Sequence, residues 1–185
     1  KDQVQHLELA RDLAERFNNR YSPTFVVPEG LVYKSGSSIK SLQDPTAKMS
    51  KSDPNENAII TLFDTPDEIR RKFKRAVTDS ETCVRFDADA KPAISNLLTI
   101  YSLTSGECIA DAEKRFEGVG YGVFKEAVAD AVIAVIEPIQ QEQKRLIADK
   151  AYLESVLKQG AESAERIARK TLSKVYRKIG FIPKF

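Results

Sequence analysis

Apolar residues recur at three- and four-residue spacing in six stretches of the chain, and this spacing predicts helices. The first predicted helix begins with a capping box at Asp2–Gln5 and ends near Asn18. The second begins where Thr65 precedes a proline and Glu68 occupies the third helical position. Four more are expected at about 94–103, at 124–136 with a kink or restart at Pro138, at 151–157 ending at Gly160, and at 161–179 ending at Gly180.

Three short apolar runs in the first third of the chain predict strands. They lie at 25–27, 39–42 and 58–63, the last being either a strand or a buried run, and turn-forming residues separate them. Residues 43–57 are predicted to form a loop, because Asp44-Pro45 and Asp53-Pro54 break regular structure. We therefore predict a chain that is α/β plus all-α and mostly helical overall, with a mixed part at 1–61 and a helical part at 62–185.

Composition indicates a folded chain that lacks a membrane span and a protein nucleophile. Hydrophobic residues fill 42% of the 185 positions and charged residues 30%, which suffices for a core. No apolar run reaches the ~20 residues of a membrane span, and Cys83 and Cys108 suit a reducing cytoplasm. One histidine, His6, and two distant cysteines exclude a zinc site and a Ser-His-Asp hydrolase. We expect no membrane partner, a cytoplasmic location and no dedicated metal site.

Charge is distributed unevenly, although the formal net charge is only +2. Residues 1–60 are balanced, 61–138 carry a net −4, and 139–185 carry a net +6, with seven basic and no acidic residues from Arg166 onward. A localised basic face can bind nucleic acid even when the whole chain is nearly neutral. A solvated helix face near its C-terminal dipole accounts for the same pattern, so charge alone leaves both interpretations open.

The motif most suggestive of chemistry is Lys48-Met49-Ser50-Lys51-Ser52, which lies in the proline-bounded loop. Two lysines three positions apart, separated by small or flexible residues, can direct both ammonium groups at one polyanion. Lysine is a compact charge with rotatable donors, which suits a leaving group whose negative charge grows during a reaction. Lysine- and serine-rich loops are also common on protein surfaces, so the lysine pair alone does not establish a site.

Longer strings around this motif resemble bacterial tryptophanyl-tRNA synthetases, which are class I aminoacyl-tRNA synthetases. The strings are Asp44 to Pro54, Asp2 to Phe17, Thr78 to Ser80, and Tyr121 to Lys125. The resemblance implies the C-terminal part of a Rossmann-type nucleotide-binding domain at 1–61, followed by a helical tRNA anticodon-binding domain at 62–185. It further implies a homodimeric ligase that uses ATP to activate tryptophan to tryptophanyl-adenylate, releases pyrophosphate, and transfers tryptophan to tRNA(Trp).

The resemblance also implies roles for individual residues. Lys48 and Lys51 would be the catalytic groups that hold the β- and γ-phosphates of ATP, and Mg²⁺ would arrive with ATP. Gln3 would lie near the amino group of tryptophan. The remaining ATP-binding residues would be Asp2 at the ribose, Ile39 and Met49 at adenine, and Ser50 and Ser52 at the phosphates. Asp2 also suits a helix cap, and Ile39 a core strand. The candidates for contact with tRNA phosphates are Arg70, Arg71, Lys74, Arg75 and the basic face of 166–178.

The chain begins at Lys1 and its only methionine is Met49, so we expect a processed chain or a piece of a longer one. The resemblance implies that the half carrying the HIGH-like motif is missing, and we therefore expect the 185 residues alone to form no tryptophanyl-adenylate. Two alternatives stay open. One is a non-catalytic RNA-binding helical module derived from a synthetase, and the other is the related tyrosyl-tRNA synthetase.

Overall fold

The computed structural model describes residues 3–31 and 38–182, and regular structure in them is almost entirely helical. This confirms the prediction of a mostly helical chain. The chain divides into two compact units, one containing the described residues 3–31 and 146–182, the other containing 38–145. None of the helices in these segments is long and apolar enough to cross a membrane. The predicted domain boundary between 61 and 62 stays a prediction.

Six α-helices and one short 3-10 helix (Glu56–Ala58) make up the regular structure of the described residues. The sequence analysis did not predict α4, a helix of only two turns. The α-helices are α1 (Val4–Tyr21), α2 (Pro66–Arg75), α3 (Pro92–Ser105), α4 (Ile109–Arg115), α5 (Tyr121–Ala148) and α6 (Lys150–Ile179).

Helix α2 begins as its sequence predicts. The Thr65 hydroxyl accepts a hydrogen bond from the Glu68 backbone N–H at 3.3 Å, and the Glu68 carboxylate accepts one from the Thr65 N–H at 2.8 Å. The two bonds form a capping box, which satisfies donors that a helix start leaves without partners. Hydrogen bonding from Thr65 also keeps the pKa of the Glu68 carboxyl below its ordinary value. Ile69 and Phe73 bury the apolar face of the helix.

The core of the 38–145 unit is built on α3 and α5. Helix α3 is buried over most of its length and ends at Gly106, whose φ of 77° is left-handed. Three aromatic rings pack edge to face at its end, with centroid distances of 5.2 Å for Tyr101–Phe116 and 4.9 Å for Phe116–Phe124. The same cluster includes Phe73 of α2 and Leu42 of the loop region. The segment that carries the lysines therefore packs against the helical core.

The three predicted strands are wrong in the described residues, where the only strand-like pairing is one antiparallel bridge between Lys40 and Lys48. Run 25–27 pairs with no strand, because the Asn18 side chain binds both backbone groups of Phe25, accepting from its N–H at 2.9 Å and donating to its carbonyl at 2.8 Å. In run 58–63, Ala58 is buried and Ile60 packs against the core, whereas Leu62 and Phe63 are exposed, so the alternative of a buried run holds only for the first part of the run. The Rossmann-type part stays a prediction.

The predicted restart at Pro138 and the predicted helix end at Gly160 are also wrong, because α5 and α6 run through these positions. Helix α5 continues through Pro138, which removes only the N–H that would bind the carbonyl of residue 134; Ala134 and Pro138 are both exposed, so water can solvate that carbonyl. Helix α6 continues through Gly160, whose cost within a helix is only about 1 kcal/mol relative to alanine. The predicted end at Gly180 is confirmed by its left-handed φ of 76°.

Candidate functional site

The loop with the two lysines has a stem in which residues 39–41 run antiparallel to 47–49. The N–H of Ser41 donates to the carbonyl of Ala47, and the N–H of Met49 donates to the carbonyl of Ile39, both at 3.0 Å. Leu42, which follows the stem, joins it to two other segments through backbone hydrogen bonds. The Leu42 N–H donates to the Ala58 carbonyl at 2.9 Å, and its carbonyl accepts from the Val77 N–H at 2.8 Å. The stem is thus joined to the C-terminal end of α2.

The turn before the lysines is closed by Asp44. Its carboxylate accepts from the Thr46 hydroxyl at 2.6 Å and from the Thr46 N–H at 2.9 Å. These hydrogen bonds keep the pKa of the Asp44 carboxyl below its ordinary value. The Ala47 N–H donates to the Asp44 carbonyl at 3.1 Å. This turn, which uses the aspartate side chain, returns the chain into the stem without a regular hairpin.

Lys48 and Lys51 are both exposed to solvent on this loop. Between and beside them, the hydroxyls of Ser50 and Ser52 lie 3.0 Å apart, and the Asp53 N–H donates to the Ser50 carbonyl at 3.1 Å. The structure therefore brings two ammonium groups and two hydroxyl groups together in one short exposed segment. Such a segment can neutralise a polyphosphate with point charges and hydrogen-bond donors.

Ile39 and Met49 lie on the inner side of the stem and pack against the hydrophobic core. With Ile60, Phe73 and six residues of α3 and α5, they line a cavity of about 220 Å³. Their observed contacts are with the helical core, and a contact with adenine stays a prediction. The same packing fixes the inner side of the lysine loop.

Asn96 on α3 is a residue of this region that the sequence analysis missed. Its side-chain oxygen accepts from the Lys40 N–H at 2.8 Å, and its side-chain nitrogen donates to the Lys40 carbonyl at 3.0 Å. Asn96 is only 7% exposed. The available signal was an asparagine inside the apolar run of α3, a position where a polar side chain has to find partners.

The two residues predicted to contact ribose and tryptophan belong to the start of the chain. Asp2 lies outside the described residues. Gln3 is exposed at the start of α1 and makes no side-chain capping bond there. His6 is exposed on the same helix. The roles predicted for Asp2 and Gln3 stay predictions.

The basic residues of α2 have different surroundings. Arg70 is ion-paired with Asp130 of α5 at 3.0 Å. Lys74 lines a cavity of about 400 Å³ together with Arg70 and Lys125 of α5. The Lys125 ammonium donates to the Ala76 carbonyl at 2.7 Å, and burial keeps its pKa below the ordinary value. The other two predicted tRNA contacts, Arg71 and Arg75, are exposed.

The basic face of 166–178 lies on the second half of α6, and its charged residues are mostly exposed. Arg169 pairs with Glu165 at 2.6 Å. Lys178 differs from the others, because its ammonium donates to the Pro23 carbonyl at 2.9 Å and to the Thr24 hydroxyl at 2.6 Å. Lys178 therefore ties α6 to the turn after α1, within one compact unit.

The described residues contain no group of three or more histidine, cysteine, aspartate or glutamate side chains that could hold a metal ion.

The sequence model of a family described as tRNA synthetases class I (W and Y) matches residues 1–137. Among curated proteins, the chain is 52% identical over 181 residues to the tryptophan–tRNA ligase of Clostridium tetani, covering 98% of the chain and 53% of that protein. It is 49% identical over 180 residues to the tryptophan–tRNA ligase of Bacillus subtilis, covering 97% of the chain and 54% of that protein. The chain thus spans about half the length of the curated relatives it matches.

Solved structures give the same result. The tryptophanyl-tRNA synthetase of Mycoplasma pneumoniae matches with a TM-score of 0.88 and 31% identity, over 98% of this chain and 55% of that one. The tryptophanyl-tRNA synthetase of Campylobacter jejuni, complexed with ADP and tryptophan, matches with a TM-score of 0.70 and 30% identity over the same shares. These relatives are all named for tryptophan.

Proposed function

Because the chain belongs to the class I tRNA synthetases for tryptophan and tyrosine, we propose that it forms part of a tryptophan–tRNA ligase. The observation that carries this proposal is the identity of 52% to a tryptophan–tRNA ligase over 98% of the chain. The family membership confirms the resemblance that the lysine loop indicated. The proposed reaction has two steps, in which ATP activates tryptophan to tryptophanyl-adenylate and the aminoacyl group then moves to tRNA(Trp).

In the first step, the carboxylate of tryptophan attacks the α-phosphate of ATP, and pyrophosphate leaves with the electrons of the broken P–O bond. Negative charge therefore grows on the leaving group. We propose that Lys48 and Lys51 stabilise this charge, with hydroxyl or backbone groups of Ser50 and Ser52 at the phosphates. The exposure of both lysines supports this role, since an incoming polyphosphate can reach them directly. Mg²⁺ is proposed to arrive with ATP as part of the substrate.

The proposal extends to the rest of the nucleotide and to tryptophan. We propose that Ile39 and Met49 contact adenine from the edge of the lysine loop, that Asp2 binds the ribose, and that Gln3 lies near the amino group of tryptophan. The ADP and tryptophan bound to the Campylobacter jejuni relative support a site for both substrates. The proposal does not require a protein nucleophile.

We propose that the basic residues of α2 and α6 contact the phosphates of tRNA. For α2 these are Arg70, Arg71, Lys74 and Arg75. Phosphate contacts position a nucleic acid, whereas stacked and hydrogen-bonded bases are what proteins read in single-stranded RNA loops. We further propose that the full-length enzyme is a homodimer and that it acts in the cytoplasm, where tRNA is used.

Substitution of the two lysines tests the catalytic proposal. In an enzyme of the relatives' length that carries this sequence, K48A and K51A should each lower kcat of tryptophan-dependent ATP–pyrophosphate exchange by about 10²–10³, the usual cost of losing one contact to developing charge. The matched control is K114A, which removes an exposed lysine of α4 and should leave exchange unchanged. Exchange at the unsubstituted rate in both loop variants would refute the assignment.

A polypeptide of residues 1–185 provides a second test. The sequence analysis predicts that it forms no tryptophanyl-adenylate, because the resemblance implies that ATP is held from both sides during activation. The measurement is the same exchange assay. Exchange near the rate of a synthetase of the relatives' length would show that these residues suffice.

A further inference from the structure

The side chain of Asn96 binds both backbone polar groups of Lys40. The Lys40 N–H donates to the side-chain oxygen at 2.8 Å, and the side-chain nitrogen donates to the Lys40 carbonyl at 3.0 Å. The amide of one side chain thereby makes the pair of hydrogen bonds that a neighbouring strand would make. Helix α3 is therefore joined directly to the stem of the lysine loop.

Lys40 presents these groups to Asn96 because of its place in the stem. Lys40 lies opposite Lys48, and the two hydrogen bonds of the stem are made by the flanking residues, from Ser41 to Ala47 and from Met49 to Ile39. In such a non-hydrogen-bonded pair, the N–H and C=O of each residue point away from its partner. Lys48 thus lies directly opposite the residue whose backbone Asn96 binds.

The contact between Asn96 and Lys40 is made in buried surroundings. Its neighbours in the helix, Ile94, Leu97 and Leu98, are at most 1% exposed, and Asn96 itself is 7% exposed. A buried amide is stable only when its polar atoms are bonded, so the Asn96 side chain and the Lys40 backbone hold each other in one register. On the inner side of the stem, Met49 packs into the helical core, so the stem is fixed from both sides.

We propose that Asn96 is a positioning residue for the lysine loop. It acts through the backbone of Lys40 to place the Lys48 ammonium against the phosphates of ATP, and it does not itself touch substrate. This inference rests on the proposed function, in which Lys48 stabilises the leaving pyrophosphate. Without Asn96, the stem can shift, and a displacement of 1 Å in a group that positions substrate can cost on the order of 10² in rate.

The variant N96A tests the inference in an enzyme of the relatives' length that carries this sequence. We expect kcat of ATP–pyrophosphate exchange to fall about 10- to 100-fold and KM for ATP to rise, while KM for tryptophan stays within about twofold. The matched control is S95A. Ser95 is the preceding buried residue of α3, and its hydroxyl accepts from the Asp87 N–H at 2.8 Å, whereas the Asn96 side chain binds the stem. A purely structural role would give N96A and S95A the same profile, which would overturn the inference.

A double-mutant cycle with K48A supplies a readout that loss of folding does not mimic. If Asn96 acts by placing Lys48, N96A should lower kcat by no more than about twofold in the K48A background, against at least about tenfold in the wild-type background. Equal effects in both backgrounds would overturn the inference.

If N96A does not fold, the near-isosteric N96D is measured in its place. It keeps the acceptor for the Lys40 N–H and loses the donor to the Lys40 carbonyl, and kcat no lower than that of S95A would overturn the inference.

Exchange activity of the wild-type enzyme distinguishes failure of the proposed function from failure of the role of Asn96. Absence of tryptophan-dependent exchange in the wild type would overturn the proposed function and this inference with it. Exchange in the wild type, combined with an N96A profile equal to that of S95A, would overturn only the role of Asn96. We also expect the amide hydrogens of Lys40 and Met49 to exchange faster in N96A than in S95A, because N96A removes the hydrogen bonds that hold the stem to α3.

Discussion

Lys72 on α2 is a charged residue on the buried face of a helix. Its ammonium donates to the Asp64 carboxylate at 2.6 Å, and the two side chains are 6% and 12% exposed. Burial raises the pKa of the Asp64 carboxyl, but hydrogen bonds from Lys72 and from the Thr61 N–H and hydroxyl outweigh it, so the pKa lies below its ordinary value. The pair therefore favours the charged carboxylate in the folded chain.

We expect K72M to lower the free energy of unfolding by about 3 kcal/mol, because it leaves a buried carboxylate without its partner. The value is at the lower end for buried pairs, since Asp64 keeps some contact with water. The control is R70A on the same helix, which breaks the pair with Asp130. The side chains of Arg70 and Asp130 are 48% and 56% exposed. Loss of this exposed ion pair should lower the free energy of unfolding by less than about 1 kcal/mol. Urea unfolding measures both variants. Equal losses of unfolding free energy in K72M and R70A would contradict the argument that burial makes the Lys72–Asp64 pair the more important one.

At the scale of elements, the two glycines of α6 offer a matched comparison. Gly160 lies inside the helix, and Gly180 caps its end with φ of 76°; a Cβ atom would meet nothing within 4 Å at either position. Only backbone conformation distinguishes them. We expect G160A to stabilise the helix by about 0.5–1 kcal/mol and G180A to destabilise it by about 1 kcal/mol, because alanine is strained in the left-handed region. Hydrogen exchange of α6 amides measures both, and shifts of the same sign would refute the argument.

The segment from α2 to α3 has no regular structure, and hydrogen bonds and ion pairs around one buried lysine hold it in place. The Lys91 ammonium, 2% exposed, contacts Glu81 at 2.8 Å, the Tyr121 hydroxyl at 2.9 Å and Asp79 at 3.0 Å. Burial lowers the pKa of Lys91, but these hydrogen bonds outweigh it and raise the pKa above its ordinary value. Burial raises the pKa of the Asp79 carboxyl, but hydrogen bonds from Tyr121 and Lys91 outweigh it and keep the pKa below its ordinary 3.8.

The lowered pKa of Asp79 sets the direction of a pH effect. Its contribution to stability is present above about pH 4, the ordinary value for aspartate, and is lost as the pH falls through the lower pKa of the folded chain. We expect K91M to destabilise the chain by about 2–3 kcal/mol near neutral pH, and the difference from wild type to shrink below about pH 4. Thermal unfolding of both proteins between pH 3 and pH 7 measures it. A difference that is constant over this range would contradict the stabilising role assigned to the ion pair between Lys91 and Asp79.

Sequence patterns located five of the six α-helices of the described residues, although they missed α4 and divided α6, and they predicted the strands poorly. Helix signals such as the Thr65 cap are local, and the structure confirms them at α2. A strand depends on partners elsewhere in the chain, and the stem at Lys40 is completed by a side chain of α3, 56 residues away. The same distinction applies to the site. The lysine motif is contiguous and was found, whereas Asn96 became visible only when the fold brought it to Lys40.

At the scale of the whole molecule, the net charge of +2 conceals a basic C-terminal stretch, and α6 carries most of it. Lys178 binds carbonyl and hydroxyl oxygens of the turn after α1, so its charge is already engaged in structure. Lys170 and Lys174 are exposed on the same helix. If α6 contacts tRNA phosphates as proposed, these two lysines should carry the contact.

We expect the double variant K170A/K174A to weaken tRNA(Trp) binding by an enzyme of the relatives' length that carries this sequence. The dependence of log K on log salt should fall by about 1 for each lost phosphate contact, because fewer counterions are released. K158A, which removes an exposed lysine from the same helix before the basic stretch, should leave both affinity and salt dependence unchanged. Binding measured at several salt concentrations separates a phosphate contact from a general charge effect. An unchanged slope in the double variant would leave the basic face of α6 as a solvated helix surface.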